Sequence, residues 1–289
     1  MADRKQALLV FSKPPIPGMV KTRMTKKNGG FLTDEQAAQF FKLCLYDVCE
    51  ASMQALMELQ AENDALVESD PTADRITYDF FISTTPESNL PIMRDTFDAI
   101  GPWPMEIHYI TDSGATFDDH FDDAFHQIFE MGYEHIVSVG GDIPTMPKSH
   151  VTQAFQWLDY YHAQGTPGFV CAPCQECGTS LVGFSSDTPI NHQGVYYNKN
   201  GVAALDAYMA KTAKMNIPVS YFSPIADIDE KVDLAHAISC MRAIEQAAQY
   251  QHELFIPSRV LRWVDFMGIT VSTPPNEEHD PRQYIDSEN

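Results

Sequence analysis

The stretch KPPIPGMVKTR (Lys13–Arg23) comes one residue after ALLVF (Ala7–Phe11), an apolar run that reads as a buried strand. Three prolines and a glycine stiffen and turn the backbone, so Lys13, Lys21 and Arg23 are presented from a restrained loop. Residues 1–30 hold 7 of the chain's 19 Lys and Arg against a single acid, Asp3, while the remainder holds 12 bases and 39 acids. A cationic loop at the carboxyl end of a first strand, on an otherwise acidic protein, suits a small polyanion such as a nucleotide.

The whole chain sets bounds on that reading. Its 289 residues suit one large domain, or a domain with an extension, and 44% hydrophobic content is enough for a core. A net charge of −21 argues against nucleic acid, which needs a broad basic face, and against an anionic membrane surface. No apolar run is long enough to span a bilayer, and the first apolar run is too short for a signal peptide. Six cysteines do not suggest a disulfide scaffold, and the expected location is cytoplasmic.

Outward from the loop, strands and helices alternate. Thr33 to Gln36 reads as a capping box for a long helix ending near Leu59, and residues 60–75 read as a polar loop. Strands are expected at 76–84, 105–110, 134–140, 168–171, 179–184 and 217–222. Helices are expected at about 90–100, 118–131, 148–162, 202–215 and 230–249. The alternation implies a mostly parallel sheet covered on both faces. The apolar segment after residue 250 is expected to dock on the body, covering a sheet edge or making a homodimer contact. The last fourteen residues, with five acids, read as a loose tail.

Two further polar clusters fall at strand ends. Gly140-Gly141-Asp142 lets backbone approach a ligand beside one carboxylate, and Asp227-Ile228-Asp229 sets two carboxylates on one side of an extended segment. Carboxylates are hard donors suited to Mg²⁺ or Mn²⁺ bridging to phosphates, and Lys and Arg offset charge on a leaving group. Each element has a plain alternative: a solvated face, a tight turn, a helix cap. Their joint occurrence at strand ends favours a metal–nucleotide site.

The segments FSKPPIPGMVKTRM (Phe11–Met24), GGDIPTMP (Gly140–Pro147) and DIDEKVDL (Asp227–Leu234) resemble the marker motifs of the DUF2064 family. This is a nucleotide-diphospho-sugar transferase-like group of GT-A type, related to guanylyltransferases for molybdenum cofactor and for phospholactate. The resemblance implies a Rossmann-like α/β fold: three layers, α/β/α, around a mostly parallel mixed sheet. It spans roughly residues 6–240, so a transferase-like domain over 1–250 and a C-terminal extension over 251–289 are expected. It further implies a nucleotide or nucleotide-sugar bound by Lys13, Pro17, Gly18, Lys21, Thr22 and Arg23. Asp142 and Asp229 would hold Mg²⁺ or Mn²⁺, with Lys21, Arg23 and Asp142 as the catalytic set. The implied reaction is sugar transfer to a small acceptor; nucleotidyl transfer to a phosphorylated small molecule and a non-catalytic binding protein are the alternatives.

The chain departs from that pattern in two places. The family's G-P-A-x-D-G-G-Y-Y-L-I-G segment corresponds to Ala172–Gly183, where Glu176 is nearest to the aspartate. The position of a family arginine falls near His120, inside the acidic run Asp118–Asp123, which is expected to repel a diphosphate unless a metal intervenes. Cys171, Cys174 and Cys177 have a spacing open to metal ligation or to plain pocket lining. There is no G-x-G-x-x-G, Walker A or nucleophile elbow.

Overall fold

A computed structural model describes residues 3–272 of the chain; the expected acidic tail lies outside them. The strands are β1 (Asp3–Phe11), β2 (Arg75–Thr84), β3 (Ile107–Thr111), β4 (His135–Val139), β5 (Phe169–Pro173), β6 (Thr179–Ser185) and β7 (Val219–Tyr221). The helices are α1 (Asp34–Ser69), α2 (Leu90–Asp98), α3 (Phe117–Glu130), α4 (Lys148–Ala163), α5 (Ala204–Met215), α6 (Lys231–Ala247) and α7 (Ser258–Phe266). One sheet in the order β3-β2-β1-β4-β6-β5-β7 carries them, parallel throughout except for β6, which is antiparallel to both neighbours.

Alternation along β1 shows why the first apolar run has no polar side. Leu8 and Val10 enter a core beneath α1, α2 and α4, while Ala7 and Leu9 enter a second core beneath α3 and α5. A strand buried on both faces in this way is the mark of a doubly covered sheet. The result is the three-layer Rossmann-like arrangement of the GT-A type, with the carboxyl ends of β1, β2, β3 and β4 along one edge.

The capping box at Thr33 is present, with Gln36 N–H donating to Thr33 Oγ1 at 3.2 Å and Thr33 N–H donating to Gln36 Oε1 at 2.8 Å. The expected end of that helix is wrong, because α1 continues ten residues past Leu59. The polarity of 60–69 marks a helix face rather than a loop. Gln60 and Asn63 use their amides to bind backbone at Ile76 and Asp74, which seats the start of β2 against the helix.

A third core joins Met24 and Leu32 of the basic loop to Phe40 of α1, Ile228, Leu234 of α6 and Val260 and Trp263 of α7. Asp47, fully buried on α1, accepts the free N–H groups of Arg259 and Val260 at 3.1 and 3.0 Å and the Arg259 guanidinium at 2.9 Å. An internal carboxylate thus satisfies the unpaired donors at the start of α7. Among the described residues no helix is long and apolar enough to cross a membrane.

Candidate functional site

The loop after β1 turns through Gly18, at φ +79°, and then places Lys21 itself at φ 48°. A left-handed lysine is strained by about 1–2 kcal/mol, and such strain collects where a side chain must be aimed. Here the strain aims Lys21 inward. Its side chain is only 4% exposed, and Nζ donates to Asp142 Oδ2 at 2.5 Å and to Asp229 Oδ1 at 2.7 Å. Arg23, more than half exposed, donates to Asp229 Oδ2 at 2.9 Å and lies 3.9 Å from Glu176. The first and last motifs, some two hundred residues apart, therefore close on the middle one.

Local packing holds the carboxylates there. A Cβ on Gly141 would lie 2.9 Å from Leu45 Cδ1 and 3.3 Å from Ser12 Oγ, so a side chain there would have to displace Leu45 where the end of β4 meets β1 and α1. Ile228 N–H donates to the Asp142 carbonyl at 3.2 Å, tying the D-x-D segment to β4. Asp233 accepts from the backbone N–H of both Asp229 and Glu230, a capping arrangement at the start of α6 that fixes Asp229. Asp227, two residues earlier, has an Oδ1 that is buried with no hydrogen-bond partner.

The electrostatics follow from that geometry. Burial works against the charge on Lys21, yet Asp142 and Asp229 outweigh it and raise its pKa well above the usual lysine range. Burial also opposes ionisation of Asp229, but Lys21 and Arg23 hold its pKa below the ordinary value. Asp227 goes the other way: burial first, then the charges of Asp142 and Asp229, push it up to about 6. Between about pH 4 and 6 the folded chain then keeps a proton that the unfolded chain has lost, so stability falls as pH rises through that window. Asp227→Asn is expected to be more stable than wild type at neutral pH, by about 1 kcal/mol after solvent screening at this half-buried site. The gain should shrink as pH is lowered toward 4. Thermal unfolding of both proteins across that range checks this, and an advantage independent of pH would refute it.

These groups line a cavity of about 910 Å³ along the carboxyl edge of β1, β2, β3 and β4. Lys13, Lys21, Arg23, Asp142 and Asp229 all face it. Pro17, Gly18 and Thr22 do not; they shape the turn, and the Thr22 carbonyl accepts from Thr25 and Asn28. Several lining residues carry no motif. Ser83, at the end of β2, donates to Asp112 Oδ2 at 2.6 Å, and Asp112 Oδ1 meets His120 Nδ1 at 2.7 Å. Burial raises the Asp112 pKa despite both partners. Position at strand ends was the only signal for Ser83 and Asp112 in the sequence, and His120, inside α3, was marked only as the place of a family arginine.

The acidic run does not act as a repulsive wall. Asp118 is buried and its carboxylate accepts four backbone N–H groups, from Gly194, Val195, Tyr196 and Tyr197, at 2.7–3.2 Å. Asp119 caps α3 through Thr116, Asp122 holds His192, and Asp123 holds Ser113. These carboxylates shape the loops beside the cavity, and none of the four lines it.

The cysteine reading is also corrected. Cys171 points into the core beneath α3 and α5, Cys177 is exposed, and the three sulfurs form no metal-sized group among the described residues. They do not line the 910 Å³ cavity either. The group that does converge, Glu134, His135 and His162, sits at the opposite end of β4. There the Arg4 guanidinium lies 3.1 Å from His135 Nε2 and 2.6 Å from Glu134, so a cation already fills the space. The hard oxygen donors suited to Mg²⁺ or Mn²⁺ are at the other end, where Asp142 and Asp229 share one internal lysine and Asp227 Oδ1 lacks any partner; as they stand, the three carboxylates form no metal-sized group among the described residues.

Among solved structures the chain is similar to a "putative nucleotide-diphospho-sugar transferase" from Desulfovibrio desulfuricans G20. The TM-score is 0.64 at 21% identity, over 91% of this chain and 96% of that one, a likeness of fold. A cytidylyltransferase from Leptospira borgpetersenii aligns with a TM-score of 0.45 at 11% identity, over 95% of this chain and 99% of that one. No curated protein matches the chain in sequence. Of the three motifs, only Gly140–Pro147 lies within residues 73–199, and that segment matches the family described as "Uncharacterized protein conserved in bacteria (DUF2064)".

Proposed function

We propose that the protein is a transferase that binds a nucleotide-sugar in the 910 Å³ cavity and passes the sugar to a small acceptor. The observation that carries this reading is the junction of the cationic loop with Asp142 and Asp229 inside one cavity at the carboxyl edge of the sheet. Neighbouring strands are about 4.8 Å apart, so the line from β4 to β3 spans roughly 14 Å, the reach of a nucleoside with its phosphates. Phosphates then lie at Lys21 and Arg23, and the nucleoside lies over the ends of β2 and β3 near Ser83 and His120.

In the reaction, an acceptor hydroxyl bonds to the anomeric carbon as the bond from that carbon to the diphosphate breaks. The electron pair leaves with the nucleoside diphosphate, and the hydroxyl proton is released to solvent. Lys21 and Arg23 offset the charge that grows on the leaving group, and Asp229 holds both cations in position. Asp142, Asp227 and Asp229 are the residues that would hold Mg²⁺ or Mn²⁺, which when bound supplies further charge stabilisation for the diphosphate.

A thermal-shift panel of nucleoside diphosphates and nucleotide-sugars, with and without Mn²⁺, tests this. One UDP- or GDP-type ligand at a hundred times its Kd is expected to stabilise by about 2.7 kcal/mol, or roughly 5–10 °C. The shift should need the metal and be lost in Asp142→Ala. Absence of any nucleotide shift would end the reading. Release of pyrophosphate from a nucleoside triphosphate, in place of donor hydrolysis, would mark nucleotidyl transfer instead.

A further inference from the structure

The first turn of α3 puts two unlike groups on the cavity wall. Phe117 and His120, three residues apart, share one face of the helix, and both line the 910 Å³ cavity. Phe117 is 48% exposed, whereas Phe41 on the same wall is buried. Phe11 and Tyr196 pack against Phe117 edge to face, with ring centroids 5.3 and 5.1 Å away. The ring is therefore held in place although about half of its surface is open.

His120 supplies a second, independent observation. Its Nδ1 lies 2.7 Å from Asp112 Oδ1, and Ser83 Oγ donates to Asp112 Oδ2 at 2.6 Å. The Asp112 side chain is fully buried, so the imidazole is anchored to a fixed point. Both carboxylate oxygens accept, which leaves the proton of the neutral imidazole on Nδ1 and a lone pair on Nε2. Nε2 has no partner among the described residues and is not enclosed by protein. Beside an open aromatic ring the cavity thus carries one oriented acceptor, and a neutral ring held in this way cannot turn to donate.

Resting on the transferase reading above, we infer that Phe117 and His120 form the nucleobase subsite, and that His120 selects bases with a ring N–H on their hydrogen-bonding edge, the uracil and guanine class. The base stacks on Phe117 while N3–H of uracil, or N1–H of guanine, donates to Nε2. In cytosine and adenine the same ring position carries a lone pair. Set against Nε2, it leaves two acceptors facing each other and neither satisfied. The exocyclic amines of those bases lie to one side, and a base shifted to use one works against the hold on its phosphates at Lys21 and Arg23.

The test is isothermal titration of the full chain, in Mg²⁺ and at about pH 8 with imidazole neutral, against UDP, GDP, CDP and ADP. The better of UDP and GDP is expected to bind about tenfold more tightly than CDP or ADP, and its ring-N-methyl derivative to lose that advantage. In His120→Gln the carboxamide can turn to donate or to accept, so the four should bind within about threefold of one another. Thermal unfolding of that variant without ligand reports that it folds, and the N-methyl comparison needs no variant. The inference is overturned if CDP or ADP binds as tightly as the better of the other two, if the N-methyl derivative binds like its parent, or if His120→Gln keeps the preference of wild type. Equal binding of all four removes the role of His120 and leaves the transferase reading standing, whereas binding of none removes both.

Discussion

Lys21→Met is expected to slow sugar transfer, or donor hydrolysis where no acceptor is supplied, by roughly 10²- to 10³-fold, the usual loss on removing one preorganised donor at a developing anion. The substitution keeps the length of the side chain and removes only the charge that joins Asp142 to Asp229. A second effect has the opposite sign. In the free protein the Lys21 ammonium and a divalent cation compete for the same carboxylate oxygens. Nucleotide-free Lys21→Met should therefore bind Mn²⁺ more tightly than wild type, as read by titration of the free Mn²⁺ signal in electron paramagnetic resonance. Turnover near that of wild type would remove Lys21 from the leaving-group role. Weaker Mn²⁺ binding would show that Asp142 and Asp229 are not the metal's ligands.

Asp118→Ala should be the most damaging substitution for stability outside the apolar cores. One carboxylate accepts four N–H groups from consecutive residues 194–197, and alanine leaves all four without their acceptor. A buried unsatisfied donor costs about 1–3 kcal/mol, and relaxation will let some of the four reach water, so a net loss of about 4 kcal/mol is expected. For a chain of this size that corresponds to a fall in Tm of roughly 10 °C. Asp118→Asn keeps one acceptor oxygen and should lose about half as much. A shift of less than roughly 2 °C for the alanine variant would show that the 194–197 loop holds its shape without Asp118.

The same carboxylate shows where sequence reading reaches its limit. Charge is visible in a sequence, but its partner is not. Asp118–Asp123 read as a repulsive run because six positions hold four acids, and nothing local says that Asp118 will face backbone more than seventy residues away. The meeting of Lys21 with Asp142 and Asp229 was legible for the converse reason. Prolines and glycine fix the turn locally, and Asp142 follows the end of β4, which the alternation of strands and helices already locates, while Asp229 arrives on the segment that leads into α6. The overlong α1 is a third case. Residues 60–69 are polar because Gln60 and Asn63 serve the first residues of β2, and a polar helix face looks like a loop when its partner strand is unknown. Ser83 and Asp112 stayed hidden because their hydrogen bonds run between elements, leaving no spacing to read, and His120 stood out only as the place of a family arginine.

The third core has a consequence for the order in which the chain is made. Met24 and Leu32, which anchor the loop that presents Lys21 and Arg23, are covered by Ile228, Leu234, Val260 and Trp263. Asp47 likewise waits for Arg259, 212 residues later. A chain emerging from the ribosome can build the parallel strands in sequence, but the underside of its basic loop stays open until α7 is free. During that interval Met24, Leu32 and Phe40 form an exposed apolar patch that a chaperone can occupy and that α7 must later displace.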